Sequence, residues 1–304
     1  MSANTWMPGR RFVIGVPYFW LLLFFLLPFL ILAYISFVDM GEDIIPFKPL
    51  WDESGALHLK LENYWSVFRD PDGGRLFDTL YIEAYGRSIG YALTTAFLCL
   101  VIGYPFAYFM ARSPERYRPG LLMMVMLPFW TSFLLRIYAW KGLLSDFGII
   151  NRALMAVGLI HDPIPMLYTD ISMLVGMTYV YLPFMVLPLY ATLVKMDFRL
   201  LEAAYDLGTR PLKAFWLITV PLSKAGIIAG CVLVFVPSVG EFVIPSLLGG
   251  PENIMIGRVV WDEMFSSNNW PRATALAVIM IALIVVPLAM YNRAINARDG
   301  EAAR

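Results

Sequence analysis

Two charged residues, Arg136 and Glu241, stand inside long apolar stretches of this chain. A charge within a bilayer costs about 2.5–3.5 kcal/mol on insertion scales, so it usually faces the protein interior and has a partner or a function. Either the two side chains form an ion pair, or Glu241 faces a water-filled path and contacts a cation. Arg136 and Glu241 each lie about 16 residues, or about 24 Å, into their apolar stretches, and this equal depth favours the ion pair. Both interpretations hold together if Arg136 pairs with Glu241 while the path is empty.

Aromatic side chains within the apolar stretches could line such a path, because ring faces attract cations. The candidates are Trp130, Tyr179, Tyr181 and Phe184. Aromatic residues at such positions also serve for packing or face lipid, and that alternative stays open.

Motifs for catalysis and nucleotide binding give little support to an enzyme. Gly86-Arg-Ser88-Ile-Gly90 matches the G-x-S-x-G pattern of serine nucleophiles, but no apolar stretch contains a histidine that could act as base. The chain also lacks a G-x-x-x-x-G-K-[ST] phosphate loop. We therefore predict no catalytic residue, no metal site and no cofactor bound by this chain.

The composition is that of an integral membrane protein. The 304 residues are 59% hydrophobic and only 15% charged, with a mean hydropathy of +0.66, whereas soluble chains carry about 25% charged residues. The net charge is zero and no basic block is present, which argues against nucleic-acid binding. Cys99 and Cys231 both lie in apolar stretches, so neither a disulfide framework nor a cysteine zinc site is expected.

Six apolar runs are long enough to cross a hydrocarbon core of about 30 Å. The predicted fold is therefore an all-α integral membrane protein, one transmembrane domain over residues 1–304. The first run is too long for a signal peptide and lacks a small-residue cleavage site, so we interpret it as an uncleaved anchor. The predicted spans are Ile14–Phe37, Ser88–Met110, Gly120–Trp140, Ile171–Val194, Ala225–Leu248 and Ala273–Tyr291.

The distribution of Lys and Arg predicts that both termini are cytoplasmic. With the N-terminus inside, the cytoplasmic segments hold 13 of the 23 basic residues, and the longer external segments hold nine. Residues 195–224 are then cytoplasmic and residues 38–87 external. The external loop is acidic, which would suit a cationic solute or a docking partner, although a solvated surface is the simpler interpretation.

The cytoplasmic segment Leu200–Pro221 is a polar island that predicts two short helices joined by a turn. Gly208 suits the left-handed residue after the first helix, Thr209 could cap the second, and Pro211 fits its first turn. An ordinary amphipathic loop is equally compatible with this pattern. The first helix carries two stripes, a polar one of Arg199, Glu202 and Asp206 and an apolar one of Leu200, Ala203, Ala204 and Leu207.

Gly226 and Gly230 form a G-x-x-x-G pair at the start of the fifth span. Such a pair permits close approach of another helix. Packing within the chain and packing against another subunit are both compatible with it.

The spacing of Glu202-Ala203-Ala204, Gly208, Ile218 and Val220-Pro221 resembles the EAA loop of permease subunits of ATP-binding-cassette (ABC) importers. Val220 replaces the leucine of the family's Leu-Pro. The likeness extends from about Ile14 to Tyr291 and is greatest to the polyamine permeases, of the putrescine (PotH) type. It is carried by the segments LPFWTSFLLRIYAW, PFMVLPLYATL and VPSVGEFVIPSLLGGPENIMIGRVVW.

The resemblance implies a type I importer permease fold in the bacterial inner membrane, surrounded by lipid. It implies a heterodimer with a second homologous permease, two copies of a cytoplasmic ATPase that hold ATP and Mg, and a periplasmic polyamine-binding protein. The residues implied in ATPase coupling are Glu202, Ala203, Ala204, Asp206, Gly208, Arg210, Pro211, Ile218 and Pro221.

The predicted function is polyamine import, with putrescine as the expected substrate and Glu241 as its contact within the span. The alternative is an ion-coupled secondary transporter of organic cations, with Glu241 and Arg136 as a proton relay. That alternative leaves the EAA spacing unexplained. An intramembrane enzyme is disfavoured because the spans lack histidine, metal ligands and paired carboxylates. A structural scaffold would show no transport phenotype on deletion.

Overall fold

The computed structural model describes four stretches of the chain, and within them all regular secondary structure is helical. The predicted all-α class is confirmed. Both chain ends and parts of the predicted external loop, at 42–45, 52–57 and 69–78, lie outside the described residues. The described residues are 8–41, 46–51, 58–68 and 79–302.

The described residues form fifteen α-helices, with π-helical turns at Leu22–Leu26, Phe215–Thr219 and Asp262–Ser266 and a 3-10 turn at Leu127–Trp130. The helices are α1 (Pro8–Leu21), α2 (Leu27–Ser36), α3 (Glu62–Trp65), α4 (Thr79–Arg112), α5 (Arg118–Met126), α6 (Phe133–Leu144), α7 (Ile149–Ala156), α8 (Asp170–Leu193), α9 (Arg199–Asp206), α10 (Pro211–Ala214), α11 (Val220–Leu222), α12 (Lys224–Val239), α13 (Val243–Leu248), α14 (Ile256–Trp261) and α15 (Trp270–Ala302).

Four helical segments of the described chain are long and apolar enough to cross a membrane. They are Phe12–Ser36, Leu80–Arg112, Asp170–Leu193 and Trp270–Ala289. Two bent pairs raise the number to six if each counts as one span. These are Arg118–Trp130 with Phe133–Ala156, bent by 88°, and Pro211–Leu222 with Lys224–Val239, bent by 68°.

Two of the predicted spans, 120–140 and 225–248, are interrupted helices. The first breaks after Trp130, and the second ends its main helix at Val239 before the short helix α13 begins at Val243. Proline stands just before each break, at Pro128 and Pro237. Because proline lacks an N–H and crowds the preceding turn, it weakens the helix at these points.

The chain divides into two compact units, and the division falls within α4 and α14. In the first, residues 1–82 and 259–304, α15 packs against α2 and α3. The Ser36 hydroxyl lies 2.7 Å from the Tyr64 hydroxyl, and Asn63 donates to the carbonyls of Ser36 and Val38. These bonds fix the chain direction after α2.

The second unit, Glu83–Arg258, is organised around the packing of α8 against α12 and α13. A Cβ on Gly226 would lie 2.6 Å from Thr192 Oγ1 and 2.9 Å from the Pro188 carbonyl oxygen, and one on Gly230 would lie 2.6 Å from Met185 Sδ. The glycine pair therefore packs against α8 of the same chain, which decides between the two roles left open by the sequence.

We predict that Gly226→Ala destabilises the protein, because the new methyl group meets a backbone carbonyl that has no room to move away. Overpacking of this kind costs about 1–3 kcal/mol. The measurement is the thermal unfolding midpoint of the purified complex. Gly90→Ala on α4 is the matched control, since a Cβ there meets nothing within 4 Å. Equal midpoints for the two variants would contradict the packing role.

Candidate functional site

The polar island forms two helices joined by a tight turn, as predicted. α9 ends in a Schellman motif, in which the Gly208 N–H donates to the Tyr205 carbonyl and the Thr209 N–H donates to the Ala204 carbonyl. Gly208 has φ +78°, which confirms its left-handed role. The predicted Thr209 cap is wrong: its N–H completes the turn before it, and Arg210 precedes α10 with no side-chain cap.

Most of this coupling loop, residues 195–224, points its side chains away from the rest of the chain. On α9 only Leu201 is buried, whereas the stripe residue Leu207 is 86% exposed. Leu212, Trp216 and Leu217 are exposed as well. Of the predicted coupling residues, Ala204 and Ile218 are half-buried, and the exposed ones are Glu202, Ala203, Asp206, Gly208, Arg210, Pro211 and Pro221.

An aromatic cluster joins the coupling loop to α4. The Phe215 ring makes edge contacts with Tyr104 and Tyr108, at centroid distances of 5.4 and 6.1 Å, and Phe198 lies 6.3 Å from Tyr108. The Tyr104 hydroxyl lies 2.7 Å from the Ser223 hydroxyl. The loop is thus packed against α4 through these rings and through the hydroxyl contact.

Glu241 lies at the break between α12 and α13 and satisfies the backbone there. Its Oε1 accepts hydrogen bonds from the N–H groups of Val243 and Ile244, at 3.0 and 3.4 Å. Its Oε2 accepts a 2.5 Å bond from the hydroxyl of Tyr181 on α8. The carboxylate therefore caps α13 and ties it to α8.

The ion pair expected between Arg136 and Glu241 is not formed within the described chain. The guanidinium carbon of Arg136 lies instead over the rings of Phe129 and Phe133, at 5.0 and 5.9 Å. Its buried Nε and Nη1 have no hydrogen-bond partner among the described residues. The ion pair was predicted by placing Arg136 and Glu241 at equal depth in two straight helices. The helices are not straight there, because an 88° bend follows Trp130 and Glu241 lies beyond the end of α12.

A row of aromatic rings separates the two charges. Tyr181 lies 6.2 Å from Phe184, and Phe184 makes an edge contact at 5.4 Å with Phe129. The sequence prediction missed Phe129 and Phe133. Phe133 stands three residues before Arg136, a helical spacing that could have indicated the contact.

Two predicted path residues lie apart from this row. Trp130 is 72% exposed. Tyr179 packs edge-on against Trp140, at 5.5 Å. Both therefore match the packing or lipid-facing alternative.

The segment after α13 packs closely behind Glu241. A Cβ on Gly257 would lie 2.4 Å from the Gly240 carbonyl oxygen and 2.8 Å from that of Glu241. The Ile256 N–H donates to the fully buried Ser88 hydroxyl at 2.8 Å. The serine of the G-x-S-x-G pattern is thus a structural hydrogen-bond acceptor, and no cluster of three potential metal ligands occurs among the described residues.

Comparison with known proteins identifies the family. Residues 103–298 match the family described as binding-protein-dependent transport system inner membrane component. The spermidine/putrescine transport system permease protein PotB of Haemophilus influenzae is 37% identical over 286 residues, which cover 94% of this chain and 93% of the relative. PotB of Escherichia coli K12 is 39% identical, with 90% and 94% covered. The inner membrane ABC transporter permease protein YdcU of that strain is 31% identical, with 72% and 73% covered.

Solved structures share the fold at low sequence identity. A bacterial ABC transporter involved in the import of the acidic polysaccharide alginate has a TM-score of 0.60 and 19% identity, with 94% of this chain and 96% of that chain covered. The MetNI methionine ABC transporter, in inward-facing conformations, has a TM-score of 0.53 and 14% identity, with 71% and 94% covered. The importer permease fold is confirmed, and the chain belongs to the family of binding-protein-dependent transport system inner membrane components, as an ABC importer permease subunit.

Proposed function

We propose that this permease subunit serves an ATP-driven importer of polyamines. Its PotB relatives are named for spermidine and putrescine, and the likeness covers nearly the whole chain. Putrescine is the substrate that the sequence resemblance favours. Spermidine carries the same ammonium groups and is the second candidate.

The observation that carries this proposal is the exposed coupling loop. Glu202 and Ala203 face outward on α9, next to a turn with exposed Leu207 and Leu212. Exposed apolar side chains of this size mark a surface that another protein covers. We assign that surface to a cytoplasmic ATPase, present in two copies, which binds ATP and Mg, whereas this chain binds neither. Glu202 supplies the polar contact, and Ala203 and Ala204 permit the close approach.

The remaining partners follow from the same architecture. A second homologous permease completes the translocation path, and a periplasmic polyamine-binding protein delivers the substrate. A solved relative of the same fold is named as an alginate transporter in complex with a periplasmic protein that holds alginate pentasaccharide. The distribution of basic residues supports cytoplasmic termini and places the coupling loop on the ATPase side.

The Glu241 site suits an ammonium group. Moving an ammonium out of water requires a carboxylate or aromatic partner. Glu241 supplies the carboxylate, and Tyr181 and Phe184 supply the aromatic rings. The Tyr181 hydroxyl, rather than Arg136, donates to Oε2 of Glu241. Closure of the ATPase dimer moves the coupling loop and switches the path between two discrete states.

The alternative, an ion-coupled secondary transporter, finds less support. A proton relay between Glu241 and Arg136 needs the two groups near each other, whereas Arg136 packs on Phe129 and Phe133. That alternative also leaves the coupling loop without a role.

We predict that Glu202→Ala abolishes most of the substrate-stimulated ATP hydrolysis of the assembled complex, because the polar contact to the ATPase is lost. Loss of one charged hydrogen bond costs about 1.5–3 kcal/mol, which corresponds to a decrease of about tenfold or more. The control is Glu115→Ala, which removes another exposed carboxylate, outside the coupling loop. Unchanged stimulation in Glu202→Ala would contradict the coupling role.

Glu241→Gln tests the cation contact separately. Glutamine keeps an oxygen that can cap α13 but removes the charge, so uptake should fall about tenfold while the complex still assembles. Labelled polyamine uptake is the measurement, and Glu252→Gln, which removes an exposed external charge, is the control. Normal uptake by Glu241→Gln would exclude a role for its charge in transport.

Deletion of the gene tests the substrate assignment. Uptake of labelled putrescine and spermidine should be lost on deletion and restored by the wild-type chain with its partner genes present. Restoration by Glu202→Ala is expected to fail at normal membrane levels. If neither polyamine depends on the gene, the substrate class is wrong even though the permease fold stands.

A further inference from the structure

A groove lies between the end of α4 and the start of α5, distant in sequence from both sites described above. Its volume is about 640 Å³. Its lining includes Phe109, Gly120, Leu121 and Met124. Phe109 is 62% exposed and Met124 71% exposed, so the described part of the chain leaves this apolar surface open.

Two arginines stand at the mouth of the groove. Arg112 lines it directly, and Arg116 stacks on Tyr117, which also lines it, at 4.4 Å from the ring centre. The guanidinium of Arg112 lies over the rings of Tyr108 and Phe198, at 5.6 and 5.8 Å. Each guanidinium also donates one N–H to a tyrosine hydroxyl, Arg112 to Tyr108 at 3.3 Å and Arg116 to Tyr117. Stacking and these bonds hold the guanidinium groups in place, and their remaining N–H groups are available to an anion.

Neither arginine forms an ion pair within the described chain. The carboxylate of the connecting turn, Glu115, lies 3.9 Å from Arg118. Arg118 also donates to the Ser113 carbonyl and so ties the turn to the end of α4. The turn is held together by Arg118, while Arg112 and Arg116 keep their charges unneutralised.

The position of the groove along the two helices indicates which kind of anion it binds. A helix that is long and apolar enough to cross a membrane ends at Arg112, and the bent pair that could form the next span begins at Arg118. We therefore assign the mouth of the groove to the level of the lipid headgroups. Below it the walls are apolar. An inorganic phosphate would use only the arginines, whereas a phospholipid uses the arginines and the apolar walls together.

We propose that this groove is a binding site for one anionic phospholipid. The phosphate lies against Arg112 and Arg116, and an acyl chain lies along Phe109, Leu121 and Met124. Basic residues at a span end attract anionic headgroups. By the predicted orientation the lipid belongs to the cytoplasmic leaflet, next to the aromatic contact of Arg112 with Phe198 in the coupling loop.

The test uses the complete importer complex in nanodiscs doped with phosphatidylglycerol that carries a photoreactive group in one acyl chain. Cross-links are mapped by mass spectrometry. We expect labelling of the Phe109–Met124 region, and several-fold less with a phosphatidylcholine probe. Each basic residue near an anionic surface changes binding about fivefold, so combined Arg112→Gln and Arg116→Gln should lower phosphatidylglycerol labelling roughly tenfold or more.

A second variant fills the groove without altering its charge. A Cβ on Gly120 meets nothing within 4 Å, so Gly120→Phe is tolerated by the backbone and occupies the acyl position. It should abolish labelling by both probes. Arg152→Gln, an exposed arginine on α7, is the control and should leave labelling unchanged.

Three results would overturn the proposal. Equal labelling by the two lipids would show that the arginines do not select an anion. Full labelling in Gly120→Phe would show that no acyl chain occupies the groove. Absence of labelling in the assembled wild-type complex would show that a partner subunit covers it.

Discussion

The close packing of α8 against α12 is the constraint on which the rest of the second unit depends. Gly226 and Gly230 let the two helices approach until backbone and side chains of α8 fill the space that larger residues would need. The coupling loop connects the ends of these helices at one side. Tyr181, midway along α8, donates to Glu241 just beyond the other end of α12. A single packed helix pair thus joins the loop proposed to meet the ATPase to the carboxylate proposed to meet the substrate.

Glu241 stabilises the broken span and is also the residue proposed to contact the substrate. Non-helical backbone at membrane depth is tolerated only where its polar groups are satisfied or line a cavity. The carboxylate satisfies two N–H groups of α13 and accepts the Tyr181 hydroxyl. The same negative charge is the one we propose to contact the substrate ammonium, so one carboxylate would serve both the helix break and transport.

The features that could be predicted from the sequence are those that depend on residues close together along the chain. Apolar runs indicated the spans, and Gly208 with the alanine pair indicated the coupling loop. The breaks at Thr131 and Glu241 were missed, because flanking apolar residues continue through them and hydropathy does not distinguish a bent segment from a straight one. Contacts over long sequence distances, such as Tyr181 with Glu241 or Arg136 on Phe129, depend on helix rotation and bending, which periodicity does not supply.

We propose that ATP, through the coupling loop, drives polyamine movement along the path that contains Glu241. This coupling is tested most directly by reconstituting the complete complex in proteoliposomes and measuring uptake of labelled putrescine and spermidine. We expect uptake that requires ATP on the ATPase side and persists when proton and sodium gradients are collapsed. Uptake that follows an ion gradient and ignores ATP would contradict it.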